Sequence, residues 1–89
     1  MRESTIEKAV NKYARSLGWL AYKFTSTSNR GVPDSLYIRE GRVMFIEFKA
    51  PGKLPTKLQQ HHIKAIQDQL IACYVIDSIE KGKDIFDSY

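Results

Sequence analysis

The chain has 89 residues, of which 43% are hydrophobic and 27% charged, values typical of one globular domain, 1–89, with a modest core. No apolar stretch approaches the roughly 18 residues of a membrane-spanning helix and no secretory signal is visible, so we expect a cytoplasmic protein without membrane contact. The single cysteine, Cys73, excludes an internal disulfide and a cysteine-rich zinc site, and its apolar neighbours indicate a buried strand residue.

The net charge of +4 is unevenly distributed along the chain. Residues 1–67 carry twelve Lys and Arg against five Asp and Glu, whereas residues 68–89 carry two against five. The acids of the first part are isolated within basic stretches. This pattern fits a metal-dependent enzyme in which basic residues bind nucleic acid next to a small acidic site. An ordinary solvated basic surface explains the charge alone equally well.

A first helix is predicted over about 4–17, because apolar residues recur there at helical spacing until Gly18 offers a stop. Ser4 and Glu7 fit a capping box at its start. On the helical wheel Glu7 also lies at the edge of the apolar stripe, where it could face a site. The two roles of Glu7 are compatible.

A hairpin is predicted in the middle of the chain. The aromatic and apolar segment 19–24 favours a strand, and the polar segment 25–31 favours a loop. Residues 35–39 and 42–49 then indicate two strands joined by a tight turn at 40–41. The second of these strands is apolar on both faces, which predicts a central strand covered on two sides.

A helical crossover is predicted after the hairpin. Prolines and a glycine within 50–55 end the strand, and Thr56 can cap a second helix that reaches about residue 72, with Gln59 at the N3 position of a capping box. A strand at 73–76 and a short helix ending near 86 follow. The order predicts an α/β fold with a mixed sheet of about four strands flanked by helices. The core-facing stripe of the second helix contains Gln59, Ile63, Ile66 and Leu70.

Two acids and a lysine occupy unusual positions in the hairpin. Asp34 precedes its first strand, and Glu47 and Lys49 lie near the end of its second, apolar strand, where unpaired buried charges cost several kcal/mol. A short turn brings Asp34 and Glu47 to the same end of the sheet, and two neighbouring carboxylates favour a cation such as Mg²⁺ or Mn²⁺ between them. Lys49 projects from the same face as Glu47 and can orient an attacking water. For an isolated Glu-x-Lys pair, a plain salt bridge is the simpler interpretation.

Further motif residues change that interpretation, because they follow one another in a specific order: Glu7, 31–34 (Gly-Val-Pro-Asp), 47–52 (Glu-Phe-Lys-Ala-Pro-Gly) and 56–59 (Thr-Lys-Leu-Gln). This combination resembles the PD-(D/E)-x-K nuclease superfamily and, within it, the virus-type replication-repair nuclease (VRR-NUC) family in its minimal stand-alone form. The resemblance implies a restriction-endonuclease-like fold. It also implies a divalent-metal-dependent endonuclease that hydrolyses DNA phosphodiester bonds.

The resemblance implies roles for individual residues. Asp34, Glu47 and the main-chain carbonyl of Phe48 would bind Mg²⁺ or Mn²⁺, Lys49 would act on the water, and Gln59 would support the site.

Other candidates leave alternatives open. Glu7 could reach the metal through a water molecule or serve only as a helix cap, and Gln60 is the alternative to Gln59. His62 could touch the scissile phosphate or a base, or could be a helix-edge histidine, and Tyr22 could contact phosphate or simply be packed. The basic residues expected to contact DNA are Lys23, Arg30, Lys53 and Lys57.

The resemblance also implies partners. Members of the family act on branched or flapped DNA, and its minimal forms resemble Holliday-junction resolvases that work as homodimers, in a phage or DNA-repair context. The acidic segment 68–89, with Ile85, Phe86 and Tyr89, could supply the dimer interface. One alternative is a non-catalytic module of the same fold, which would bind DNA junctions without metal-stimulated cutting. Another is a purely structural subunit, which would do neither.

Overall fold

In the computed structural model, which describes residues 1–26 and 28–89, these residues form a mixed four-stranded sheet and three helices, and the predicted fold class is confirmed. The predicted loop at 25–31 includes Thr27, which lies outside the described residues. Within the described part, none of the helices combines the length and the apolar character needed to cross a membrane. The elements are α1 (Glu3–Ser16), β1 (Leu20–Lys23), β2 (Ser35–Arg39), β3 (Arg42–Phe48), α2 (Lys57–Asp68), β4 (Ala72–Ile76) and α3 (Ile79–Asp87).

The strands lie in the order β1-β2-β3-β4. β1, β2 and β3 are antiparallel neighbours, and β4 joins β3 in parallel after the α2 crossover. Glu40 and Gly41, with φ values of 49° and 80°, form the turn between β2 and β3, and positive φ at both positions matches the right-handed twist of the strands. This turn sets the hairpin register, and β3 is the central strand that its sequence predicts.

One face of the sheet packs against α1 and α3 to form the main core. Gly82 of α3 allows the two helices to touch, because a Cβ there would lie only 2.4 Å from a methyl carbon of Val10. The core residues are Ile6, Val10, Ala14, Trp19, Ala21, Tyr37, Met44, Ile46, Phe48, Ile76 and Phe86.

The opposite face is only partly covered. Helix α2 lies over β4, where Ile63 and Cys73 are buried, whereas Leu20 and Tyr22 of β1 are 50% and 56% exposed. The strand register defines this uncovered sheet face, which consists of Leu20, Tyr22, Leu36, Ile38, Val43 and Phe45.

Two details of the predicted helices are wrong. The α1 helix begins at Glu3 behind Arg2, and no side chain caps it, so the Ser4–Glu7 capping box is absent. Helix α2 ends at Asp68 instead of near residue 72, because Leu70 adopts a φ of 63° that a helix cannot contain. Leu70 is 92% exposed and does not belong to the core-facing stripe.

The carboxyl-terminal segment is less available than its sequence suggests. Phe86 is 1% exposed within the core, and the ring of Tyr89 packs edge-on against Trp19, with 5.5 Å between ring centroids. Phe86 is therefore not available to the dimer interface predicted for this segment, whereas Tyr89 is half-buried and keeps part of its surface exposed.

Candidate active site

The hairpin brings the two predicted carboxylates together. The main-chain carbonyl of Asp34 accepts a 2.8 Å hydrogen bond from the amide of Phe24, which extends the β1–β2 pairing. Ser35 lies opposite Ile46 in the β2–β3 pair, so the next antiparallel position sets Asp34 opposite Glu47. Residues opposed in this way have Cβ atoms about 4.5–5.5 Å apart. Asp34 and Glu47 are therefore neighbours at one end of the sheet.

Glu47 is a buried carboxylate with 7% of its surface exposed. Burial, followed by the nearby charge of Asp34, raises the pKa of Glu47 to about 7, although the Lys49 ammonium opposes the shift. The Nζ atom of Lys49 lies 3.8 Å from Glu47 Oε2, and only 15% of the Lys49 side chain is exposed. The ammonium is thus held, partly desolvated, beside Glu47.

Gln59 links the start of α2 to this pair. Its Oε1 accepts a 2.9 Å hydrogen bond from the Thr56 amide, and its own amide donates to Thr56 Oγ1 at 3.2 Å, so the predicted capping box is confirmed. The nitrogen of the same side-chain carboxamide, Nε2, donates to Glu47 Oε2 at 3.4 Å. The alternative residue, Gln60, donates instead to the carbonyl of Pro55 at 3.0 Å. The structure therefore brings Gln59, and not Gln60, to the acids.

Glu7 reaches the site from α1 through a lysine. The Nζ atom of Lys23 lies 2.8 Å from Glu7 Oε2 and 3.6 Å from Asp34 Oδ2, and its hydrogen bond to Glu7 is the largest cause of a raised Lys23 pKa. The buried hydroxyl of Ser35 lies 3.5 Å from Glu7 Oε1 and 3.3 Å from Asp34 Oδ1. Glu7 is therefore part of a network that holds Asp34, and Lys23, which the sequence suggested as a DNA contact, joins the same network.

Ser35 is the member of this network that the sequence analysis does not single out. It is 2% exposed, with a side chain that contacts two acids. Its type and position are the available signal, since a small polar residue directly follows Asp34 and precedes three apolar or aromatic residues of the strand. Buried hydroxyls of this kind are kept where they have hydrogen-bond partners.

The other predicted basic residues, Arg30, Lys53 and Lys57, are exposed. Gly31 contacts Leu58 at the start of α2. Arg30 and Lys57 directly precede these two residues in the chain, so they lie on either side of this contact. Lys53 lies in the segment between β3 and α2. Among residues 1–26 and 28–89, no ion pair involves Arg30, Lys53 or Lys57, which leaves their charges available to an anion.

The side chains of two other candidates form no hydrogen bond or ion pair with the acids among the described residues. His62 is half-buried and lines an apolar cavity of about 320 Å³ with Phe45 and Ile66, and no hydrogen bond or ion pair of the described residues joins it to Asp34 or Glu47. Cys73 is buried, and burial raises the pKa of its thiol to about 11. The thiol is therefore protonated at neutral pH, as expected of a structural residue.

The donor set determines which metal could bind. The described residues contain no group of three or more His, Cys, Asp or Glu side chains spaced to hold an ion. Two carboxylates with main-chain oxygen suit Mg²⁺ or Mn²⁺, because such ions bind oxygen through one or two carboxylates and keep several waters. A cation between Asp34 and Glu47 would also offset the repulsion that raises the Glu47 pKa. The residues present therefore fit a hard divalent ion.

We expect Gly31→Ala to destabilise the protein by ~2–3 kcal/mol. Gly31 has a φ of 83°, and a Cβ there would lie 2.9 Å from Leu58 Cγ and 3.2 Å from the Gln59 amide nitrogen. Urea unfolding measures the change. The matched control is Gly41→Ala, where φ is 80° but no atom lies within 4 Å of the added Cβ. Equal losses for both variants would mean that the contact with α2 is unimportant.

Comparisons with known proteins add to this geometry. No protein-family model matches the sequence. The chain is 43% identical over 82 residues to "Putative nuclease p44" of Acyrthosiphon pisum secondary endosymbiont phage 1, and the match covers 88% of this chain and 85% of that protein. A solved structure described as a VRR_NUC domain superimposes with a TM-score of 0.89 over 98% of this chain and 96% of the other, at 21% identity. At that identity the structural match shows a shared fold.

Proposed function

The chain belongs to the VRR-NUC family, and from that membership we propose that it is a divalent-metal-dependent endonuclease that hydrolyses DNA phosphodiester bonds. The proposal rests on the Lys49 ammonium 3.8 Å from Glu47 on β3, and on Asp34, which lies one register position beyond the last β2–β3 pair, Ser35 with Ile46. A plain salt bridge would not need a second carboxylate opposite the first. The hydrogen bond from Gln59 gives further support, because it fixes Glu47 from a separate element.

In the proposed site Asp34, Glu47 and the main-chain carbonyl of Phe48 would hold Mg²⁺ or Mn²⁺. When bound, the ion supplies a Lewis acid that lowers the pKa of water and offsets phosphate charge. The chain's own residues position these ligands. Gln59 orients the Glu47 carboxylate, and the Glu7–Lys23–Ser35 network restrains Asp34.

Lys49 acts on the reacting groups. In hydrolysis a water oxygen bonds to phosphorus, one ester P–O bond breaks, and the leaving oxygen takes up a proton. Negative charge spreads over the phosphate oxygens during this step, and a fixed ammonium stabilises that charge. The Lys49 ammonium can donate a hydrogen bond to the water or to a phosphate oxygen. Its burial strengthens this interaction, since the local dielectric is lower than that of water.

We propose branched DNA, a Holliday junction or a flap, as the substrate class. Support comes from family membership and from Arg30, Lys53 and Lys57, whose charges have no ion-pair partner among the described residues. Each Lys or Arg that neutralises a phosphate releases counterions, so binding should weaken steeply with salt. A panel of four-way junction, flap, fork, duplex and single-stranded DNA tests the preference.

Cleavage of a junction or flap is expected with Mg²⁺ or Mn²⁺ and not with EDTA. Asp34→Asn should lose cleavage and bind Mn²⁺ at least about tenfold more weakly, because one of two carboxylate ligands is gone. Denaturing gels follow the cleavage and calorimetry follows Mn²⁺ binding. Junction binding in EDTA without any metal-stimulated cutting would instead identify the non-catalytic module. A protein that neither binds nor cuts would be the structural subunit.

We further propose that the protein forms a homodimer through the part of the uncovered sheet face farthest from the acids. Leu20 and Val43 are 50% and 38% exposed there, and Leu17 and Ile38 line the same surface. Light scattering at micromolar concentration should give a dimer. Leu20→Glu should give a folded monomer, because a charge in an apolar interface is desolvated without a partner. A wild-type monomer at these concentrations would rule out the dimer.

A further inference from the structure

Two partly exposed aromatic rings lie next to the candidate active site: Tyr22 belongs to the uncovered sheet face, and Phe24 directly follows β1. Tyr22 is 56% exposed and Phe24 is 37% exposed. The ring of Phe24 packs edge-on against Phe45, with 5.5 Å between centroids. Tyr22 is thus not packed inside the fold. An exposed ring such as that of Tyr22 gains little from its own fold, and its position beside the partly exposed Phe24 points to a ligand that covers both rings.

The strand register fixes where these rings lie relative to the acids. The amide of Phe24 donates a 2.8 Å hydrogen bond to the carbonyl of Asp34, so Phe24 occupies the same row across the sheet as the two carboxylates. Tyr22, opposite Leu36, stands two residues away on the same strand and face. The rings therefore begin one strand away from Asp34 and extend from the site along β1.

We propose that Tyr22 and Phe24 form a stacking platform for an unpaired DNA base next to the phosphate that is cut. This inference rests on the proposed nuclease function and specifies its substrate. A base inside a duplex is already stacked on both sides, whereas a base at a flap or branch point has an exposed face. Aromatic rings stack on such a face whatever the base. The platform would therefore select DNA in which nucleotides beside the cut are unpaired.

The position of the platform favours DNA over a second protein. A protein seated on Phe24 would also cover Asp34 and close the site to its substrate. Charge favours the same conclusion, since Lys49 adjoins Glu47 and Arg30 is exposed just before the Gly31 contact with α2. A base on aromatic rings with its phosphates near cations is the usual arrangement in single-strand binding.

Photochemical cross-linking of the wild-type protein tests the placement directly. A flap substrate carrying 5-iododeoxyuridine at the first unpaired nucleotide is bound in EDTA, irradiated and digested with trypsin. The platform predicts an adduct at Tyr22 or at Phe24, assigned by fragment masses. A cross-link confined to other residues would overturn the placement.

Affinity provides the second measurement. The double variant Tyr22→Leu with Phe24→Leu keeps apolar side chains but removes both rings, and it should bind the flap about tenfold more weakly in EDTA. Its affinity for fully paired duplex should change less than twofold. Tyr22→Phe, which keeps the ring, should bind the flap like the wild type. Circular dichroism checks that each variant is folded.

The outcomes separate this inference from the nuclease proposal. Cleavage with Mn²⁺ combined with unchanged flap affinity in the double leucine variant would overturn the platform and leave the nuclease standing. Absence of cleavage, with the cross-link and the affinity loss both present, would overturn the nuclease proposal and leave the platform standing. If Tyr22→Leu converted a dimer into a monomer, the rings would belong to a subunit interface and the platform would be wrong.

Discussion

Lys49→Ala is expected to abolish DNA cleavage while leaving DNA binding intact. The ammonium lies 3.8 Å from Glu47 Oε2 on a side chain that is 15% exposed, so its charge is preorganised and poorly screened. Removing one preorganised donor of this kind typically lowers kcat by about 10²–10³, and we expect a loss of at least that size. Single-turnover cleavage of a flap with Mn²⁺ measures the rate, and mobility shift in EDTA measures binding.

A charge-matched control separates this effect from the loss of net charge. Lys83→Ala removes one positive charge from α3, the helix that packs on the opposite face of the sheet. It should cut at the wild-type rate. If Lys49→Ala also cut at the wild-type rate, Lys49 would have no part in the chemistry.

Glu47→Gln is expected to abolish metal-dependent cleavage and, in EDTA at pH 8, to make the protein more stable. Burial and Asp34 raise the pKa of Glu47 from 4.5 to about 7, so the folded state binds this proton more tightly than the unfolded state. The stability that the proton contributes is complete below the unfolded pKa and is lost as pH rises through about 7. The variant cannot ionise and keeps that stability.

The stability difference between Glu47→Gln and the wild type should therefore depend on pH. We expect about 2–3 kcal/mol in favour of the variant at pH 8 and almost none at pH 4. Urea unfolding in EDTA at both values measures it. Glu40→Gln is the control, because the Glu40 side chain is 85% exposed in the hairpin turn. A gap for Glu47→Gln that was equally large at pH 4 would show that burial does not perturb this carboxylate.

Local sequence signals are enough to predict the hairpin and the pairing of its acids. Glu40 and Gly41 mark the turn, and the period of two then determines which residues share a face. Because Asp34 and Glu47 lie on either side of one short turn, their opposition follows from local geometry. Gln59 is predictable for the same reason, since a capping box depends only on Thr56 and the three residues after it.

Contacts between distant elements are not visible in the same way. Ser4 and Glu7 match the sequence pattern of a capping box. The α1 helix nevertheless begins at Glu3, and the Glu7 carboxylate binds Lys23 of β1 instead. Leu70 continues the apolar spacing of α2, yet the chain leaves the helix there to enter β4. In both cases long-range packing outweighs a local preference. The helical period of 3.6 residues shows which face of a helix is apolar, but not which other element will contact a given residue.

The two hydrogen bonds of the Gln59 side chain constrain which residue can occupy this position. A capping box accepts glutamate or glutamine equally well at N3, so the helix alone does not distinguish them. At position 59, glutamate would place a third carboxylate beside Glu47, whose pKa is already raised. A substitution that the helix tolerates would therefore be disfavoured by its neighbour on β3, so the residue at position 59 serves both elements at once.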